Sequence, residues 1–164
     1  MARQPDGPPP PPTVQKLRIR YAKRGRLRFA SHRDLARTLE RALRRAQVPM
    51  AYSAGFSPHP KISYLGAAPT GAASEAEYLE IGVAIRCDPD RLREALDAAL
   101  PDDVAVLEVV EAAEGTGSLA DRIDTSVWRV ELPGVTVAEL QPAVEKFLAS
   151  DVVTVAKRSR PRLA

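Results

Sequence analysis

The chain has 164 residues, with 24 Lys and Arg against 21 Asp and Glu, 45% hydrophobic residues, 5% aromatic residues and one cysteine. That length holds one ordinary domain or two small ones around a core of mostly Leu, Val, Ile and Ala. The lone Cys87 excludes a disulfide framework within the chain and an all-cysteine metal or iron–sulfur site. No run approaches the roughly 18 apolar residues of a membrane span and no secretory signal opens the chain, so no membrane partner and a cytoplasmic location are expected.

The net charge of +3 conceals a segregation. Residues 16–61 carry 13 Lys and Arg against only Asp34 and Glu40, whereas residues 62–124 carry 14 Asp and Glu against four Arg. Such a chain either presents one face to an anionic partner or neutralises itself across the fold.

Residues 1–15 contain a proline run that favours extended polyproline II, and they read as a disordered or semi-rigid tail. From Lys16 the chain alternates, with Leu17, Ile19 and Tyr21 on one face and Arg18 and Arg20 on the other, which predicts a strand. After a turn at Lys23-Arg24-Gly25 the run Arg26-Leu27-Arg28-Phe29 alternates again, as a hairpin or an extended approach to the next element. That element is a helix over 31–46. Leu35, Leu39, Ala42, Leu43 and Ala46 form its apolar stripe, while Arg33, Arg37, Arg41 and Arg44 gather opposite, with Ser31 as N-cap. Like charges four apart cost a few tenths of a kcal/mol each, so this face is either a solvated arginine surface or one shaped for phosphate or an acidic partner.

Strand pieces at 50–52 and 61–65 flank the stiff loop SAGFSPHP, which carries an aromatic, a histidine and two prolines. A strand over 77–85, a helix capped by Asp88 with Pro89 at its first position, and a strand over 104–110 follow. The order is that of a ferredoxin-like β-α-β-β-α-β unit over 16–113, an α+β fold. Residues 114–164 read as a linker and a partial second α+β unit, with a strand at 126–132, a helix at 135–149 and a strand at 152–157.

Chemistry is sparse. His32, His59 and Cys87 share no ligand spacing, so no metal and no cofactor are expected, and no phosphate-cradling glycine loop or nucleophile elbow is present. His32 lies in the first turn of the helix, where the dipole and the arginines disfavour the imidazolium, and His59 lies beside Lys61. The two histidines with Tyr52 or Tyr64 and a lysine are enough for metal-independent RNA cleavage, but each histidine reads more simply as a cap, a loop hydrogen bonder or a phosphate contact. Glu75, Glu77 and Glu80 read as partners for the arginines of the first strand or the helix.

The stretches RIRYAKRGRLRFASHRDLARTLERALRRAQVP, YSAGFSPHPKISY and GAASEAEYLEI, in that order, resemble the radical-SAM-linked domain, domain of unknown function 2344. The resemblance covers residues 16–85 closely and 114–164 weakly. It implies association with a cobalamin-binding radical SAM protein, as a fused module or a separate chain, and it supplies no catalytic residue. The chain lacks a CxxxCxxC triplet, so any cluster that cleaves S-adenosylmethionine belongs to another polypeptide. The matching positions implied as a site are Lys23, Gly25, Phe29, Ser31, His32, Asp34, Arg37, Arg41, Tyr52, Ser53, Gly55, Phe56, Pro58, His59, Pro60, Ser74, Glu77 and Tyr78. Gly25, Phe29, Asp34 and Tyr78 also have purely structural readings.

The residues and the resemblance together point to a noncatalytic accessory module. It is expected to bind RNA through Lys23, Ser31, His32, Arg33, Arg37, Arg41 and Arg44 and through the loop residues Tyr52, Ser53, Gly55, Phe56, Pro58, His59, Pro60 and Lys61, with Ser74 and Glu77 nearby. The alternatives are a module that docks an acidic patch on a radical SAM partner, and an RNA-processing enzyme. Three geometric expectations follow. The helix arginines form one positive surface with Arg18, Arg20, Arg26 or Arg28. Leu35, Leu39 and Leu43 pack on Leu17, Ile19, Tyr78, Leu79 or Ile81. The loop 53–61 meets Ser31 and His32 at one concave site.

Overall fold

In the computed structural model, which describes residues 9–66 and 68–154, the alternating run forms β1 (Gln15–Lys23) at the centre of a four-stranded sheet. The remaining strands are β2 (Ile62–Tyr64), β3 (Ser74–Val83) and β4 (Val104–Glu111), in the order β2-β3-β1-β4 with every neighbouring pair antiparallel. α1 (His32–Arg45) follows β1, and α2 (Pro89–Ala99) joins β3 to β4. The α+β expectation therefore holds, and the sequence of these six elements is the expected one.

Both helices pack on one face of the sheet. Leu17, Ile19 and Tyr21 of β1, Leu79, Ile81 and Val83 of β3, and Val104, Val106 and Val109 of β4 meet Leu35, Leu39 and Leu43 of α1 and Leu92 and Leu96 of α2 in one cluster. The predicted leucine stripe is thus the buried one. Tyr78 lies on the opposite sheet face, across from Arg20, and takes no part in that core. Ser31 caps α1 by accepting from the Asp34 amide at 3.2 Å, and Asp88 caps α2 by accepting from the Arg91 amide at 2.9 Å; each satisfies an orphan donor of a first helical turn.

Several local expectations are corrected. Residues Gly25–Phe29 form a 3-10 helix, not a strand. Gly25 turns the chain at φ +46, and Asp103 then holds it: its carbonyl accepts from the Arg24 amide at 2.7 Å and its carboxylate from the Arg26 amide at 2.8 Å. A Cβ on Gly25 would land on that carboxylate, so the turn needs glycine for space as well as for φ. The piece at 50–52 makes only isolated bridges, Met50 to Val83 and Tyr52 to Pro60. Gln15, placed by its sequence in the tail, is buried in β1, where its side chain exchanges hydrogen bonds with the backbone of Cys87. Of the expected tail, residues 1–8 lie outside the described residues, and 9–14 carry no regular structure.

The chain divides into two units after Asp124. Residues 114–118, read as a linker, belong to the first unit, where the Gly117 carbonyl accepts from Arg18 at 2.8 Å. The second unit contains α3 (Val137–Leu148), opened by a capping box between Thr136 and Glu139. The expected strand at 126–132 forms no ladder, although its alternation is present, and the described part of the expected strand at 152–157, residues 152–154, is also not a strand. Residues 155–157 lie outside the described residues.

Candidate functional site

The basic residues of the first unit fall into two sets. On β1, Lys16 and Arg18 pair with Glu80 at 3.7 and 3.0 Å, Arg20 pairs with Glu108 at 3.4 Å, and just beyond the strand Arg24 pairs with Glu75 at 2.6 Å. The outer face of the sheet is therefore self-neutralised. On α1 the outcome differs. Arg33, Arg37, Arg41, Arg44 and Arg45 are all exposed. Among the described residues the sole ion pair in this set is Arg37 with Asp34, a helical neighbour at 3.9 Å. Arg41 otherwise reaches only the Thr38 hydroxyl at 3.3 Å.

The positive surface expected of α1 thus exists, but its composition is narrower than expected. Arg18 and Arg20 lie on the other side of the sheet and are engaged. Arg26 and Arg28 accompany it instead, because the 3-10 helix feeds directly into α1. That turn also exposes Phe29, 59% accessible, with the Arg28 guanidinium 4.7 Å from its ring centroid. His32 is exposed and meets Tyr64 edge to face at 5.6 Å, while the Tyr64 hydroxyl donates to the Ala36 carbonyl at 3.3 Å. Burial, then the nearby Glu40 carboxylate, push the Tyr64 phenol up to about 12. The start of α1 therefore offers aromatic faces, a histidine and several guanidiniums together.

The loop 53–60 is anchored apart from the turn that leads into α1. Its anchors are the last residues of β3: the Ala51 amide donates to the Gly82 carbonyl and the Gly82 amide to the Lys61 carbonyl. The 3-10 helix that leads into α1 is fastened near the other end of β3, where the Gly71 amide donates to the Arg28 carbonyl and Arg24 pairs with Glu75. The Glu75 and Gly82 anchor points are seven residues apart on β3, about 23 Å, whereas His32 itself meets Tyr64, whose partner Leu79 is three residues from Gly82. Within the loop, Ser53 and His59 close the excursion by two hydrogen bonds, Ser53 N–H to the His59 carbonyl at 2.9 Å and His59 N–H to the Ser53 hydroxyl at 3.0 Å. Gly55 turns the tip at φ +129, and Phe56 stands 69% exposed beside exposed Pro58 and His59. Tyr52 and Pro60 form the neck of the loop. Lys61 leaves in another direction, its ammonium donating to the Thr13 hydroxyl at 3.1 Å.

Lys23 and Glu77 are placed in the interior, both 2% exposed. They grip one residue from its two sides: the Lys23 ammonium donates to the Ala68 carbonyl at 2.7 Å, and the Glu77 carboxylate accepts from the Ala68 amide at 3.1 Å. Among the described residues the second Glu77 oxygen is buried without a hydrogen-bond partner. Tyr21 lies across the ladder from Glu77, and burial together with that carboxylate raises its phenol. Ser74 opens β3 by accepting from the Ala76 amide. These residues hold the segment before β3 and present nothing to a ligand outside.

The sequence reading overlooked a groove between α1 and α2, about 1100 Å³ in volume. Arg26, Arg41 and Arg45 line it together with Ala46, Ala95, Ala98 and Ala99, and Leu100 to Asp103 complete it. Arg26 and Arg45 were visible in the sequence, but what brings them together is helix packing.

The chain belongs to a family of uncharacterised proteins conserved in bacteria, DUF2344, whose model matches residues 16–162. No curated protein matches it. No helix among the described residues is long and apolar enough to cross a membrane.

Proposed function

We propose that this chain is a noncatalytic accessory module of a radical SAM system and that it binds single-stranded RNA along the outward face of α1. The observation that carries the RNA reading is the contrast in charge pairing. Every β1 arginine has a glutamate partner, whereas Arg33, Arg41 and Arg44 have no ion pair among the described residues. At about 100° per residue, Arg33, Arg37 and Arg44 fall within about 40° of one another, a stripe suited to a phosphate backbone. Phe29 and His32 at the head of that stripe offer surfaces on which unpaired bases stack. Phe56 at its separate loop tip offers another such surface. The radical SAM association rests on the three-segment resemblance, and the single cysteine assigns any iron–sulfur chemistry to the partner.

The test is fluorescence anisotropy with a 20-nucleotide single-stranded RNA across a salt series. Binding should weaken linearly in log–log form, and Arg33→Gln with Arg37→Gln should flatten the slope by about 1.4, since each lost phosphate contact removes about 0.7 on a single strand. A slope unchanged by the double substitution would refute the proposed interface.

A further inference from the structure

We propose that the groove between α1 and α2 seats an acidic amphipathic helical segment of a partner protein. The inference is independent of the RNA reading, because it rests on Arg45 and Ala98, which the outward stripe of α1 does not use.

Three observations lead to it. The first is shape. At about 1100 Å³ the space exceeds the usual range of small-molecule pockets, and it lies between two packed helices of the same layer, where a further helix can lie along them. The second is the floor. Ala46 comes from the end of α1 and Ala95, Ala98 and Ala99 from α2 at i, i+3 and i+4, so the groove is shallow-walled and apolar. Small side chains there let another backbone approach closely, and Leu27 and Leu100 extend the apolar surface.

The third is charge, and it selects the occupant. Arg26, Arg41 and Arg45 line the groove, and none has an ion pair among the described residues. Arg45 gives one N–H to the Ala99 carbonyl at 3.5 Å, leaving most of its donors for a carboxylate. The acidic lining residues offset this set only in part: three guanidiniums face two carboxylates, of which Asp103 also accepts from the Arg26 backbone amide and Asp102 is exposed. The lining contains no aromatic ring, so bases would find nothing to stack on, whereas carboxylates on one side of an apolar helix match both rim and floor. Nucleic acid on the Arg33, Arg37 and Arg44 stripe and acidic peptide in the groove are thereby separate sites, with Arg41 lining the groove.

The experiment uses the full chain and two probes, a fluorescein-labelled 18-residue peptide with Glu and Leu at helical spacing and the 20-nucleotide RNA. Ala98→Trp fills the groove from an exposed position, and Arg45→Glu reverses its rim charge. Each should weaken peptide binding at least about tenfold with melting temperature unchanged, and Ala98→Trp should leave RNA affinity unchanged. Absence of saturable peptide binding by the native chain overturns the proposal, as does native peptide affinity in both variants. Displacement of the peptide by RNA, with RNA binding lost in Ala98→Trp, would also overturn it by making the groove a nucleic-acid surface.

Discussion

β1 and α1 are neighbours in the chain and both are rich in arginine, yet they treat that charge in opposite ways. In β1 the guanidiniums stand across a ladder from β3 and β4, where Glu80 and Glu108 lie opposite Arg18 and Arg20 in register. Arg18 is 11% exposed and Glu80 15%, so the pair is shielded from water on a sheet face. In α1 the arginines are exposed, and among the described residues no carboxylate of the acidic half pairs with them, although Arg45 donates to the Ala99 carbonyl of α2. The segregation of charge along the chain is thus resolved on the sheet and preserved on the helix. Opposite charges in one sequence cancel where a ladder sets them face to face; they do not cancel merely because both are present.

The largest expected effect tests whether α1 is oriented as described. Leu39→Ala removes a buried side chain from the common core and should lower unfolding free energy by about 2–5 kcal/mol in denaturant titration. Near-zero cost would turn the arginine face inward and abolish the contrast.

Arg18→Met comes next, with an expected loss of about 1–3 kcal/mol, because it leaves half-buried Glu80 to the exposed and more distant Lys16 at 3.7 Å. Chemical denaturation of Arg18→Met beside the double variant with Glu80→Gln measures the coupling, which should be clearly non-additive.

A smaller effect concerns the rim of the helix. The Tyr64 phenol is raised toward about 12 in the folded chain against about 10 unfolded, so its contribution is complete below pH 10 and is lost as pH climbs from 10 toward 12. Tyr64→Phe should flatten the fall in stability over that interval, and a melting-temperature series in pH detects it. Tyr21 shifts in the same direction, so the flattening should be partial.

The smallest effect sharpens the comparison most. Replacing Arg33, Arg37 and Arg44 together by Gln should leave stability within about 0.5 kcal/mol, with relief of like-charge repulsion as the expected sign. A loss comparable to that of Arg18→Met would show that the helix arginines are held by partners after all.

Local periodicity made the helix and central strand legible. The spacing of Leu35, Leu39 and Leu43 placed both faces of α1, and the alternation of Leu17, Ile19 and Tyr21 placed β1. What escaped depends on residues distant in sequence. Arg26 to Phe29 alternates like a strand, but Asp103, 77 positions from Arg26, draws it into a 3-10 turn. Lys23 and Glu77 look like surface ligands among basic and acidic neighbours, and only the strand register and the position of Ala68 put them inside. The run 126–132 has the alternation of a strand, but pairing requires a neighbouring ladder, which periodicity alone does not provide. The turn before α1 and the base of the loop are fastened at different points along β3, a spacing that no periodicity reports.

Asp103 binds the turn before α1 to the connection that ends α2, through its carbonyl to Arg24 and its carboxylate to Arg26. The Arg26 wall of the groove is therefore fixed to the opposite wall by the chain's own hydrogen bonds before any visitor arrives. A segment entering there encounters a preorganised width and need not freeze the host's backbone, so the entropic cost of association falls mainly on the guest. Loosening that tie, as with Asp103→Ala, would slow productive docking and shorten residence without removing a single groove arginine.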